Sequence, residues 1–250
     1  MSRKLVIIPT YNERENIEAM IDTVMALPLN AELLIIDDNS PDGTADLVRQ
    51  AKNRYGTRLH LISRAGKLGL GTAYIAGFKY ALDKGYDLVF EMDCDFSHNP
   101  ADLQRLCDEC EKQGADVAVG SRYKSGVNVV NWPMGRVLMS YFASKYVRFV
   151  TGLPVSDTTA GFVCYRADVL RSIDLDNIRF KGYAFQIEMK FTAHKLGFRV
   201  SEVPIVFTNR VLGTSKMNGS IFGEAFFGVI SLKLRSLFKK YKRHEANPDT

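Results

Sequence analysis

The segment Glu91-Met92-Asp93-Cys94-Asp95-Phe96-Ser97-His98 places two carboxylates two residues apart, where an apolar run ends. Both can reach one cation, and their hard oxygens suit Mg²⁺ or Mn²⁺ bridging to a diphosphate. An Asp-x-Asp is also ordinary turn composition, so it gains meaning only from its company. His98, ahead of Asn99-Pro100, reads as a metal ligand or as a residue leading into a helix, and its role stays open.

That company is acidic and basic in turn. Pro9-Thr10-Tyr11-Asn12-Glu13 sets a fixed φ, an aromatic face and a carboxylate after the first apolar run. Ile36-Asp37-Asp38-Asn39-Ser40-Pro41-Asp42-Gly43-Thr44 sets two carboxylates ahead of turn residues that lead into a helix. Acids at these points suit ribose hydroxyls and base N–H donors. Turn or N-cap duty accounts equally well for Asp42 and serves for Asn12, Asn39 and Ser40, but it requires neither Asp38 nor Glu13.

Arg64-Ala65-Gly66-Lys67-Leu68-Gly69-Leu70-Gly71-Thr72-Ala73 is glycine-rich and carries two cations, yet it lacks the spacing of a P-loop. It either lets a ligand approach the backbone or lets a helix pack tightly. Arg122 with Arg136, and the run from Arg210 to Lys216, supply guanidinium and ammonium groups for phosphate oxygens. Gly213 and Ser215 favour a loop able to close over a ligand.

These segments need a scaffold that brings them together. Leu5-Ile8, Leu33-Ile36, Leu59-Ile62, Leu88-Met92 and Val117-Val119 read as strands, nearly continuous in Val, Ile and Leu. Between them, Asn16 to Ala26, Thr44 to Tyr55, Gly71 to Asp83 and Pro100 to Lys112 carry apolar residues at helical spacing. The alternation predicts an α/β fold, with a mostly parallel central sheet and helices on both faces. In such sheets ligands bind beyond the C-terminal strand ends, where every segment above lies. Further on, a helix is expected over Gly135 to Gly152, a strand at Phe162-Tyr165, a helix near Phe185 to Leu196 and a strand from Val200 to Phe207. No linker or repeat divides the chain.

At 250 residues and 46% hydrophobic, the chain can build one large core. A net charge of +5 is mild for a nucleic-acid partner, and none is expected. The four cysteines are scattered and no leader pattern opens the chain, which predicts a cytoplasmic setting. Cys107 and Cys110 lack a second pair for zinc and read as buried thiols of a helix.

No window is long and apolar enough to span a bilayer. Phe226, Ile230, Leu234, Leu237 and Tyr241 nevertheless share one face of a C-terminal helix, opposite Glu224, Ser231, Arg235 and Lys239. Lys233, Arg235, Lys239, Lys240, Lys242 and Arg243 cluster near its end, as peripheral binding to the cytoplasmic face of a membrane favours. The alternatives are docking on the protein's own core or on a small membrane-spanning partner subunit. The Gly135–Gly152 helix carries Val137, Leu138, Tyr141, Phe142, Tyr146, Phe149 and Val150 nearly all round, which fits core burial or lipid contact. Lys145 and Arg148 on it can snorkel. The expected division is a catalytic domain over residues 1–219 and a basic amphipathic helix and tail over 220–250.

Taken in order, P-T-Y-N-E, D-D-N-S-P-D-G-T, K-L-G-L-G-T-A, D-x-D with S-H, G-S-R-Y, G-Y-x-F-Q-x-E-M and R-x-x-G-x-S-K resemble the dolichyl-phosphate mannosyltransferases of glycosyltransferase family two, from Pro9 to Lys216. The resemblance implies the GT-A fold, GDP-mannose as donor, and a dolichyl or other polyprenyl phosphate as acceptor. It implies that Pro9, Tyr11, Glu13, Ile36 and Asp38 hold the nucleoside. Asp93, Cys94 and Asp95 would then meet the diphosphate and metal, with Asp93, Asp95 and Ser97 as the metal set. Arg122, Arg210 and Lys216 would bind phosphates, and Arg136 with Ser140 would receive the acceptor phosphate beside Arg122. Cys94 departs from the alanine usual there, a small-for-small exchange. Asp95, Arg122 and Arg136 are the expected catalytic residues. A phosphate monoester with a second pKa near ~6 is already largely dianionic and needs no strong base. Direct attack on the anomeric carbon predicts inversion. Rival readings are transfer from a UDP-sugar, or a catalytically silent nucleotide-sugar-binding subunit.

Overall fold

The computed structural model describes residues 2–182, 184–210, 212, 220–238 and 240–243, with 220–225 described by backbone alone. Among them, strands and helices alternate through the first half. They run β1 (Lys4–Thr10), α1 (Ile17–Met25), β2 (Glu32–Asp37), α2 (Thr44–Tyr55), β3 (Leu59–Ser63), α3 (Leu70–Asp83), β4 (Leu88–Glu91), α4 (Asp102–Glu111) and β5 (Val117–Ser121). The second half adds β6 (Val129–Val130), α5 (Met134–Thr151), β7 (Val163–Arg166), α6 (Ala167–Ser172), α7 (Ala184–Lys195), β8 (Val200–Pro204), β9 (Phe207–Thr208) and α8 (Ser220–Ser236).

Seven strands form one sheet in the order β3-β2-β1-β4-β7-β5-β8. Every pairing is parallel except those of β7, which runs antiparallel to both β4 and β5. The continuous apolar runs follow from burial on both faces. Along β1, Val6 and Ile8 join the layer under α1 and α4, while Leu5 and Ile7 join the layer under α3 and α7. The chain winds outward from β1 through β2 to β3, then returns to place β4 on the other side of β1. That reversal opens a crevice at the C-terminal ends of β1 and β4.

The expected strand from Val200 to Phe207 is two strands. β8 completes the large sheet, and β9 pairs with β6 in a separate two-stranded sheet, because Ile205 and Val206 carry the chain across the sheet edge. Cys107 and Cys110 are buried in α4, as expected.

The C-terminal helix docks by a face that its sequence pattern did not single out. α8 docks through Val229 and Leu232 onto Val147 of α5 and onto Ile187 and Phe191 of α7. Phe226, Ile230, Leu234 and Leu237, the face expected to act together, are turned outward, and helix α8 ends before Tyr241. On α5 only Ser144, Val147 and Thr151 are buried. Met134, Leu138, Phe142 and Phe149 are exposed, so core burial does not explain that helix's apolar character.

Candidate active site

A cavity of about 920 Å³ opens at the crevice, running from Pro9, Tyr11, Glu13 and Asp38 past Asp93, Cys94, Asp95 and Ser97 to Arg136 and Ser140. It continues between α5 and α8 along Phe142, Tyr146, Val147, Phe226 and Val229. The acidic strand ends, the cationic residues and an apolar channel thus share one space.

At its acidic end the loops after β1 and β2 brace each other. Asp37 accepts the Thr10 hydroxyl at 3.0 Å, the Ser40 hydroxyl at 2.6 Å and the Ser40 N–H at 2.9 Å. Asn12 and Asn39 take left-handed φ values of 54° and 57°, which asparagine tolerates better than most residues. Asp42 accepts the Thr44 N–H and hydroxyl and the Arg14 N–H, so its turn role accounts for it. Asp38 faces the cavity while held by Arg64 Nε at 2.5 Å and by the Leu68 N–H at 3.3 Å. Lys67 lies 5.0 Å above the Tyr11 ring. The Ile36 side chain is fully buried under α3, so any contact it makes with a ligand is through its backbone.

The glycine-rich loop serves packing as well as access. A Cβ at Gly71 would stand 2.8 Å from the Phe180 carbonyl and from the Phe185 ring, so α3 starts in contact with the segment ahead of α7. The Gly71 N–H donates to the Lys181 carbonyl at 2.8 Å.

After β4, the Asp93 carboxyl opens to the cavity, its side chain 41% exposed. Burial and the neighbouring Asp95 charge push it up to about 7. Asp95 accepts the Ser97 N–H at 3.0 Å through a turn in which Phe96 holds φ 57°, a costly conformation for a bulky side chain. Its other oxygen meets Arg210 at 2.5 Å, and Arg210 also lies 3.8 Å from Glu13. A guanidinium between two buried carboxylates marks a place that demands positive charge. Asp93, Asp95 and Ser97 therefore fit a hard divalent cation. Among the described residues no group of three or more His, Cys, Asp or Glu side chains makes a closed cage, and an open site of this kind leaves room for ligand oxygens. Lys216 lies outside the described residues.

Arg122, at the end of β5, is buried and gripped by Asp157, with Nε to Oδ2 and Nη2 to Oδ1 both at 2.6 Å. The Arg122 N–H adds a third bond to the same carboxylate at 3.0 Å, and Nη2 reaches Thr159 at 2.9 Å. Burial alone would raise Asp157, but the guanidinium outweighs it and holds the carboxyl below its ordinary value. Nothing in the sequence marked Asp157, a single acid in a loop. His98 neither leads directly into α4 nor reaches a carboxylate closely. It stacks on Phe162 at 4.9 Å, and burial lowers it to about 4, so it is neutral at pH 7.

A second buried polar group lies under the cavity floor. Gln186 donates to Glu91 at 2.8 Å and accepts from Lys190 at 3.2 Å, and Lys190 also donates to the Ala160 carbonyl at 2.7 Å. Burial raises the Glu91 carboxyl and lowers the Lys190 ammonium, each to about 8, and each charge partly restores the other. Apolar neighbours in the sequence gave no sign that these helix and strand positions would meet.

A seven-stranded, mostly parallel sheet with acids and arginines over its C-terminal edge is the architecture of a GT-A glycosyltransferase. Residues 5–174 match the model of glycosyl transferase family 2, and the chain belongs to that family. It is 47% identical over 233 residues to the polyprenol monophosphomannose synthase of Mycolicibacterium smegmatis, covering 93% of this chain and 88% of that one. It is 46% identical over 227 residues to the undecaprenyl-phosphate mannosyltransferase of Micrococcus luteus, covering 91% and 92%. Among solved structures, the fold matches glucosyl-3-phosphoglycerate synthase of Mycobacterium tuberculosis bound to Mn²⁺, UDP and glucosyl-3-phosphoglycerate, with a TM-score of 0.68 at 18% identity over 96% of this chain and 81% of that one. It also matches the mannosyltransferase PcManGT of Pyrobaculum calidifontis bound to GDP-Man and Mn²⁺, with a TM-score of 0.62 at 18% identity over 97% and 66%.

Proposed function

We propose that this chain transfers mannose from GDP-mannose to a polyprenyl phosphate at a membrane surface, with inversion and with a divalent metal. The observation that carries the reading is continuity: one cavity joins an acidic nucleotide end, a cationic centre and an apolar channel. A nucleotide sugar and a lipid phosphate together need all three. The two relatives near 47% identity, named for polyprenol and undecaprenyl phosphate mannosylation, support the same acceptor and sugar.

Tyr11, Glu13 and Asp38 bind the nucleoside, Asp38 as an acceptor already oriented by Arg64. Asp93, Asp95 and Ser97 would hold Mg²⁺ or Mn²⁺, which when bound stabilises negative charge on the departing diphosphate. Arg210, at the same end, offers a planar pair of donors to phosphate oxygens. Arg136 and Ser140, one helical turn apart on α5, receive the acceptor phosphate. Arg122 presents a guanidinium whose orientation Asp157 fixes before any ligand arrives, so little reorganisation is required when charge develops.

The dianionic phosphate attacks the anomeric carbon as the bond to the diphosphate breaks, turning an α-linked donor into a β-linked product. Phe149 on α5 and Phe238 just past α8, each 90% exposed, with Leu138, Phe142, Phe227 and Leu234, add exposed apolar surface to these two helices, and Phe142 also lines the channel. Lys145 and Arg148 on α5, and Lys233, Arg235 and Lys240 on and just past α8, supply cations on the same segments, as contact with anionic lipid favours. None of the helices is long and apolar enough to cross a membrane, among the described residues. In this reading residues 1–219 form the catalytic unit and 220–250 add to the lipid contact.

The test is an assay of purified protein with GDP-mannose or UDP-glucose and a polyprenyl phosphate, with and without chelator. Lipid-linked mannose formed only with metal is expected. Turnover with UDP-glucose alone would overturn the donor, and full turnover in chelator would overturn the role given to Asp95.

A further inference from the structure

Phe207, Asn209 and Arg210 line the cavity where β9 ends, and the backbone there is pinned from two sides. The Phe207 N–H donates to the Asn128 carbonyl and the Asn209 N–H to the Val130 carbonyl, each at 3.0 Å, which joins the segment to β6. Between them, the Thr208 N–H donates to the Ser97 carbonyl at 3.1 Å, which joins it to the loop that carries Asp93 and Asp95. The Asn128 N–H in turn donates to the Arg122 carbonyl at 2.9 Å. One short strand is thus fixed both to the Asp-x-Asp loop and to the end of β5.

Two consecutive side chains leave this strand for different partners. Arg210 meets Asp95 at 2.5 Å, at the donor end. Asn209 meets Arg136 in the first turn of α5, Oδ1 to Nη1 at 3.1 Å. A guanidinium only donates, so the amide atom facing it is the oxygen. The Arg136 guanidinium also lies over the Trp132 ring, 3.9 Å from its centroid. A cation can slide across an aromatic face at little cost, whereas a hydrogen bond to one Nη is directional and removes that freedom.

We propose that Asn209 is a positioning residue for the acceptor phosphate, its Oδ1 holding Arg136 in a fixed place relative to the loop of Asp93 and Asp95. This rests on the reading of Arg136 as an acceptor-phosphate residue and adds the group that aims it. Because the aim is set before the lipid phosphate arrives, binding has one long side chain fewer to order. Without the amide oxygen Arg136 keeps its charge and loses its direction. The grip on the acceptor weakens while the nucleotide end is untouched.

The experiment measures steady-state transfer by the full chain, with KM determined separately for undecaprenyl phosphate and for GDP-mannose. It compares wild type with Asn209→Leu, which keeps the side chain's shape but removes the acceptor, and with Asn209→Asp, which keeps an oxygen in the same place. N209L should raise the undecaprenyl phosphate KM roughly tenfold, the scale of one hydrogen bond to a charged group, and leave the GDP-mannose KM unchanged. N209D should stay within about threefold of wild type, since its oxygen still meets Arg136. An unchanged acceptor KM in N209L, an equal rise in both KM values, or an N209D as impaired as N209L would overturn the proposal. Wild type that transfers mannose to no polyprenyl phosphate would overturn the acceptor reading, and this inference with it. Asn209→Ala, which inserts no bulk, carries the same test where N209L does not fold.

Discussion

Substituting Asp157 by alanine removes the partner of a guanidinium that is 90% buried. Three hydrogen bonds are lost at once, two of them at 2.6 Å in a parallel pair. Breaking a buried pair from one side costs about 3–5 kcal/mol, because the remaining charge is left without compensation. For a chain of this size each kcal/mol moves the midpoint roughly 2–4 °C, so D157A should melt roughly 6–20 °C lower. Arg122→Met with Asp157→Leu removes both charges and should recover most of that loss, since an apolar pair of similar volume is about neutral.

The pH dependence has a definite sign. Asp157 is held below its ordinary value in the folded state, so its contribution is complete above about pH 4 and is lost as pH falls through the depressed folded value. Urea denaturation of wild type, D157A and the double variant between pH 3 and 7 measures all of this. A D157A cost under about 1 kcal/mol, the scale of an exposed pair, would refute the claim that Asp157 fixes Arg122. So would a double variant no more stable than D157A.

Asp95→Asn should lower kcat roughly 10²–10³-fold, as loss of a group supporting charge in the transition state does, and should weaken Mn²⁺ binding measured by calorimetry. Gly71→Ala should destabilise by about 1–3 kcal/mol in urea titration, because its Cβ would stand 2.8 Å from the Phe180 carbonyl and the Phe185 ring. Phe149→Asp and Phe238→Asp, at positions 90% exposed, should leave the melting temperature unchanged. Each should weaken flotation with anionic vesicles about tenfold or more, the scale of one phenylalanine's burial.

Much of the large sheet was legible because its strands are buried on both faces. Leu33-Ile36 and Val117-Val119 had to be continuous apolar runs, and they are. The insertion of β7 between β4 and β5, antiparallel to both, was not legible, since it depends on pairing between residues far apart in the chain and leaves no local mark. The acidic strand ends were readable as loop chemistry, but their partners were not. Asp157 reaches Arg122, and Gln186 reaches Glu91, from distant segments. The wheel drawn for α8 grouped Phe226, Ile230, Leu234 and Leu237, which turn outward together, but it did not mark the face that docks. With Phe227, Val229 and Leu232 added to the apolar set the helix has more than one apolar stripe, and only the shape of α5 and α7 decides that Val229 and Leu232 dock. The sequence also did not show that Ile36, beside the site, turns its side chain into the core layer under α3.

The central claim is that the acceptor phosphate attacks the anomeric carbon directly inside the continuous cavity. Determining by NMR the anomeric configuration of the lipid product formed from GDP-α-mannose and a polyprenyl phosphate tests it most directly. A β-mannosyl phosphate is the predicted result. An α-linked product, or complete absence of a lipid-linked sugar from active, metal-loaded protein, would contradict the account.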